Sequence, residues 1–109
     1  MAKHMVIVLS DPVEGSEGEY NEWYENVHLD EVLETTGWTA AQRYVLTDHK
    51  GAECPNRFMA LYEVETDQPS DIVRRLDETR GDRQQSAAID RANAALWVFS
   101  PTGERHEPK

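Results

Sequence analysis

Hydrophobic and polar positions follow two rhythms along this chain, and the changes of rhythm mark its elements. Met5-Val6-Ile7-Val8-Leu9 is a β-branched apolar run halted by Ser10-Asp11-Pro12, which predicts a first strand. Residues 13–18 are polar and carry glycine, as a loop does. From about Glu17 the period becomes helical. Tyr20, Trp23, Tyr24 and Val27 fall at i, i+3, i+4 and i+7, an aromatic stripe with glutamates around it. The stripe does not continue, because Leu29, Val32 and Leu33 point to other faces of the same ideal helix. This mismatch predicts a kink or break near His28, with Asp30 as N-cap of a second short helical stretch ending at Gly37. Period two returns over Trp38 to Thr47, where Ala40, Tyr44 and Leu46 alternate with polar residues in a second strand. A loop over Asp48 to Asn56 leads to a third strand, Arg57 to Val64. Pro69 and Ser70 open a second helix with Ile72, Val73 and Leu76 on one face and Gly81 as its stop. Gln84 to Asp90 leaves room for a further turn or two, and Ala94 to Phe99 is the last strand.

The order βαββαβ predicts an α+β fold of the ferredoxin-like kind, with a four-stranded antiparallel sheet. It occupies residues 5–100 as a single domain, and residues 101–109 form a polar tail. Met1 to His4 are expected to be disordered or a cloning-derived start, with Met5 as the natural beginning. The strands also speak to assembly. Residues 5–9, 58–62 and 94–99 are apolar at consecutive positions, so both faces of the sheet should be covered. Two helices cover one face only. An identical sheet is the simplest cover for the other, which predicts a homodimer.

Charge and composition narrow the partners. The net charge is −10, and nine acidic residues with no Lys or Arg lie between Asp11 and Glu34. From Asp71 to Arg91, five acids are matched by five arginines. Such a chain repels phosphate backbones and anionic lipid, so neither nucleic acid nor a membrane is an expected partner. No apolar run reaches the roughly 20 residues of a membrane span, and no basic segment precedes an apolar one, which points to the cytoplasm. Cys54 is alone in a polar, turn-rich stretch, which excludes an intramolecular disulfide and gives no sign of an activated thiol. His4, His28, His49 and His106 show no metal-ligand spacing, so neither a metal nor an organic cofactor is expected.

The segment Tyr20-Asn21-Glu22-Trp23-Tyr24-Glu25-Asn26-Val27-His28-Leu29, followed by Val32-Leu33 and Gly37-Trp38, resembles the EthD-like branch of the dimeric α+β barrel proteins. Arg43-Tyr44 and Ala60-Leu61-Tyr62-Glu63 are similar to strand motifs of that family. Asp30 departs from it, standing where the family usually has proline. The resemblance implies two sheets joined as a barrel in the dimer, with helices outside and a pocket between helices and sheet. Members include cofactor-free polyketide cyclases, lactone isomerases, decarboxylases, quinone-forming monooxygenases and haem-handling proteins, and fold alone does not choose among them.

His28 is the candidate catalytic residue. Histidine titrates near neutral pH and can move protons without a cofactor. At a helix break beside an aromatic stripe it would face a partly dry pocket. Trp23, Tyr24, Tyr44, Tyr62 and Trp97 are the candidate substrate-binding residues, because rings suit flat apolar substrates and tyrosine hydroxyls can polarise a carbonyl. The plainer interpretation is that a lone helical histidine is a hydrogen-bonded structural residue and that Trp23, Trp38 and Trp97 are core. The expected function is a cofactor-independent enzyme on an aromatic or polyketide-like molecule, acting by cyclisation, isomerisation or decarboxylation. The alternatives are a cofactor-free monooxygenase on a phenolic substrate, or a non-catalytic small-molecule-binding dimer; haem is weaker, since one His with no companion is poor evidence for an axial ligand.

Overall fold

Strand β1 runs over Ala2–Ser10 at the centre of the sheet, where both of its edges are paired. The computed structural model describes residues 1–109. After β1 come α1 (Glu17–Trp23), a π turn (Tyr24–His28) and α2 (Leu29–Thr36), then β2 (Ala40–Val45) and β3 (Phe58–Thr66). Helix α3 (Ile72–Glu78) is flanked by single 3-10 turns, and β4 (Ala95–Phe99) closes the set. The four strands form one sheet in the order β2-β3-β1-β4, and every neighbouring pair is antiparallel. The fold is therefore α+β, with the helices on one side of the sheet.

Register decides what each face carries. Val6 pairs with Tyr62 and Val98, and Tyr62 pairs with Ala41, so these side chains share the helix-covered face. Ile7 pairs with Leu61 and Trp97 on the opposite face. The buried core lies on the helix side: Val6, Ala60, Tyr62 and Val64 from the sheet meet Tyr20, Trp23, Tyr24, Leu29, Val32 and Ile72 from the helices. The opposite face has no cover, leaving Trp97 42% and Phe99 56% exposed beside half-buried Ile7, Leu9, Met59 and Leu61.

The break near His28 takes a specific form. The chain stays helical through it, and the wider π turn at Tyr24–His28 supplies the change of direction. One added residue per turn rotates the downstream face, so the Tyr20/Trp23/Tyr24 stripe and the Leu29/Val32/Thr36 stripe both face the sheet. Asp30 is consequently not an N-cap; it is an exposed residue within the continuous helix. The helix does end at Gly37, whose φ of 80° is the left-handed value that glycine adopts without a Cβ penalty.

Several expected boundaries shift. Residues 2–4 extend β1 instead of lying outside the domain, because Ala2, Lys3 and His4 find partners in Thr66, Glu65 and Val64. His4 is buried, with Nδ1 2.8 Å from Ser100 Oγ and Nε2 3.0 Å from the Thr66 carbonyl. The second strand is shorter than Trp38 to Thr47: Trp38 is buried against Tyr62, and pairing with β3 covers only Ala40 to Val45. Between Arg83 and Asp90 the backbone is irregular, held by Val13 N–H donating to the Ala88 carbonyl at 2.7 Å and Asp90 N–H donating to the Asp11 carbonyl at 3.0 Å. Val73, expected on the packed face of the second helix, is 43% exposed, while Ile72 is buried. Residues 101–109 are exposed and lie outside helix and strand.

Candidate functional site

The π turn places three of the anticipated residues together. The Trp23 indole stacks on the His28 imidazole with centroids 4.3 Å apart and planes 23° apart. Tyr24 meets the same imidazole edge-on at 5.0 Å. Trp23 and Tyr24 also contact each other at 5.1 Å. His28 Nδ1 is buried and has no hydrogen-bond partner. Buried polar atoms are nearly always paired, so an orphan on a π turn marks a place where the chain accepts a local cost. Burial holds the imidazole neutral, pushing its pKa down to about 4, and the nearby positive charges of Arg83 and Arg91 act in the same direction.

The sheet contributes Tyr62 from β3, which faces the helices from the centre of the core. Burial pushes the Tyr24 phenol up to about 12, with the neighbouring Tyr20 adding to the shift. Burial, and then Tyr24, raise Tyr62 well above the ordinary phenol value. Both phenols are therefore neutral groups at physiological pH. Tyr20 is fully buried, and its hydroxyl shares a 2.6 Å hydrogen bond with Ser10 Oγ.

Two arginines enter this layer that the sequence reading did not mark as site residues. Arg43 lies under the helix, its guanidinium carbon 4.7 Å from the Tyr24 ring centroid and 5.3 Å from those of Tyr20 and Phe58. It donates to Glu25 Oε1 at 3.2 Å and Asn21 Oδ1 at 2.9 Å, and its Nε is a buried orphan. Arg83 is 8% exposed and donates to Thr35 Oγ1 at 3.0 Å, Thr79 Oγ1 at 2.7 Å and the Leu76 carbonyl at 2.8 Å. Its Nε is orphaned too. Arg43 was detectable in principle, since with Ala41 it occupies the inward positions of an alternating strand. Arg83 sits in an irregular segment without periodicity, and no local signal distinguishes it from its exposed neighbours.

Tyr44 and Trp97 do not join this group. Tyr44 pairs with Met59 and Trp97 with Ile7, which puts both on the uncovered face, across the sheet from His28. Nor does His28 line any of four cavities found on this chain. One of about 540 Å³ lies beside it, bounded by Glu19, Glu22, Trp23, Asn26, Val27 and the segment Gln84 to Ala87. Trp23 forms the partition: one side borders this groove and its ring stacks on His28. The Trp23 Nε1–H donates to the Gln84 carbonyl at 3.0 Å, closing the seam between helix and loop. A second cavity of about 270 Å³ adjoins the uncovered face and is lined by Leu9, Tyr44, Leu46, Cys54, Phe58 and Met59 among others. No group of three or more His, Cys, Asp or Glu side chains is gathered as a metal ion would need, and no helix is long and apolar enough to cross a membrane.

In comparisons with known proteins, no family model, no curated protein and no solved structure matches this chain.

Proposed function

We propose that this protein is a cofactor-independent enzyme of the EthD-like, dimeric α+β barrel kind, acting on an aromatic or polyketide-like small molecule by proton transfer at His28. The observation that carries this reading is the neutral His28 imidazole on a π turn, with Nδ1 buried and unpartnered between Trp23 and Tyr24. A neutral imidazole with a free lone pair is the form a general base needs. Tyr24 and Tyr62, neutral and facing the same layer, are suited to donate to a substrate carbonyl. The strand order β2-β3-β1-β4 supports the ferredoxin-like reading. The uncovered apolar face around Ile7, Leu61 and Trp97 supports a second copy of the sheet as its cover.

The test is deuterium exchange of an aryl β-diketone in D₂O, followed by NMR. The protein should accelerate exchange, and His28→Ala should lose about 10² of that acceleration. His28→Gln, which keeps hydrogen bonding but cannot titrate, should be nearly as inactive, and both variants should keep the oligomeric mass of the parent. Exchange unchanged in His28→Ala would sink the assignment.

One observation favours a second reading. The open groove beside Trp23 is separate from the imidazole, as a non-catalytic small-molecule-binding dimer would have it. Binding of aromatic ligands with no acceleration of exchange would select that reading.

A further inference from the structure

The N-terminal end of β1 holds another histidine, in surroundings unlike those of His28. His4 is 4% exposed and lies on the helix-side face of the sheet, in line with Val6 and Val8. The register between β1 and β4 pairs Met5 with Phe99. Carried one residue further, it sets Ser100 opposite His4, and the side chains meet: His4 Nδ1 is 2.8 Å from Ser100 Oγ. On the other side of the ring, Nε2 is 3.0 Å from the carbonyl of Thr66, the last residue of β3. A single imidazole thus joins β1 to the ends of both its neighbours.

These contacts decide which nitrogen carries the hydrogen. A carbonyl oxygen can only accept, so Nε2 must be the donor to Thr66. In the neutral ring Nδ1 is then an acceptor, and the Ser100 hydroxyl donates to it. A serine O–H aimed at an imidazole lone pair, with the ring held at its other nitrogen by a third group, is the arrangement of an activated nucleophile. Burial is distributed to match. The imidazole is enclosed and fixed at both nitrogens, while Ser100 is exposed just beyond an edge strand, open to a reagent arriving from solvent.

We infer that Ser100 is a nucleophile activated by His4, a site where the chain acylates itself from a short activated ester or thioester. The hydroxyl oxygen attacks the acyl carbonyl carbon while its proton passes to His4 Nδ1. The bond from that carbon to the leaving oxygen or sulfur then breaks. The leaving group departs with the bonding electron pair and takes the proton from His4, and Ser100 keeps the acyl group as an ester. The Thr66 carbonyl accepts from the ring throughout, and its dipole faces the imidazolium while that charge exists. Neither His4 nor Ser100 lines any of the four cavities, which sets the substrate class. The acyl group is small and its leaving group good, because the rate comes from a base held at the nucleophile and not from an enclosing pocket. The site stands apart from His28 and does not depend on the function proposed for it.

The probe is 4-nitrophenyl acetate, with peptide mass spectrometry locating the acetyl groups over time. Ser70 is the internal reference, an exposed serine that makes no hydrogen bond to a histidine. Ser100 should acquire acetyl about 10² times faster than Ser70, the usual scale of general-base assistance. His4→Gln keeps a donor for Thr66 and an acceptor for Ser100 but cannot take up a proton, so the two serines should then react at similar rates. Equal acetylation of Ser100 and Ser70 in the wild-type protein overturns the inference, whether or not the variant folds. A preference for Ser100 that survives in His4→Gln overturns it as well, since exposure and not the imidazole would then set the rate.

Discussion

The two faces of the sheet are built from alternate residues of the same strands, yet they carry different kinds of chemistry. Val6, Val8 and Ser10 of β1 look toward the helices, while Met5, Ile7 and Leu9 look away. On the helix side, apolar packing is interrupted by a hydroxyl pair, two raised phenols, a neutral imidazole and two guanidiniums. The far side has an apolar centre at Ile7, Leu9, Leu61 and Trp97, bordered by Gln42 and by the Lys3–Glu63 ion pair. Burying orphaned polar groups costs stability, and exposing large rings costs solubility. Each face therefore carries its own cost, orphaned polar groups on the helix side and exposed rings on the other.

The largest expected effect breaks the apolar side. Leu61 sits between Ile7 and Gln42 at the middle of the uncovered face. Leu61→Asp places a charge at the centre of the proposed sheet-to-sheet interface, where it has no partner. Dimer dissociation should strengthen at least 10³-fold, about 4 kcal/mol or more, as for a buried unpaired charge. Sedimentation equilibrium reads this directly, and a wild-type protein that sediments only at 12.5 kDa removes the premise. Diketone exchange need not vanish with the dimer, because His28, Tyr24 and Tyr62 belong to one chain and lie on the other face.

The helix side should instead show itself through pH. The imidazole of His28 moves from an ordinary value of 6.5 to about 4 on folding. Between these values the unfolded chain binds more protons than the native one, so stability falls as pH drops through the window. The contribution is fully present above about 6.5 and lost below about 4, for a total of about 3 kcal/mol. Denaturant melts of wild type and His28→Gln should diverge over that interval, the wild type having the steeper decline. Parallel curves would mean that the native imidazole titrates normally. Leu61→Asp, altering only the far face, should keep the wild-type slope when compared at equal oligomeric state.

The difference between the faces also explains what could be read in advance. Consecutive apolar residues at 5–9 and 58–62 announced that both faces were apolar, and pairing turned that into Ile7 and Leu61 outward, Val6 and Tyr62 inward. The broken aromatic stripe announced a change of direction at His28, because periodicity is a local property of the chain. It did not announce a π turn, which satisfies the same pattern without the Asp30 cap. Tyr44 and Trp97 were grouped with His28 on residue type, and only strand register separates them from it. Arg83 was illegible for a different reason. Its hydrogen bonds to Leu76 and Thr79 are local, but the one to Thr35 reaches 48 residues away, and no short window of sequence contains that contact.

The smallest effect probes the seam between groove and imidazole. The Trp23 ring does two things: its face stacks on His28, and its Nε1–H closes onto the Gln84 carbonyl. Trp23→Phe keeps a ring against the imidazole but removes the donor. The carbonyl left behind is beside the groove and can turn to water, so the loss of stability should be about 1 kcal/mol, the net worth of one hydrogen bond. Access should change in the opposite sense. With the seam unlatched, 4-nitrophenol should reach the His28 imidazole faster, raising the association rate seen by stopped flow. Stability lost with no gain in association rate would make Trp23 a packing residue and put the route to His28 elsewhere. A gain in rate with the pH slope intact would establish the indole as the partition between an acidic, open groove and the cationic layer behind it.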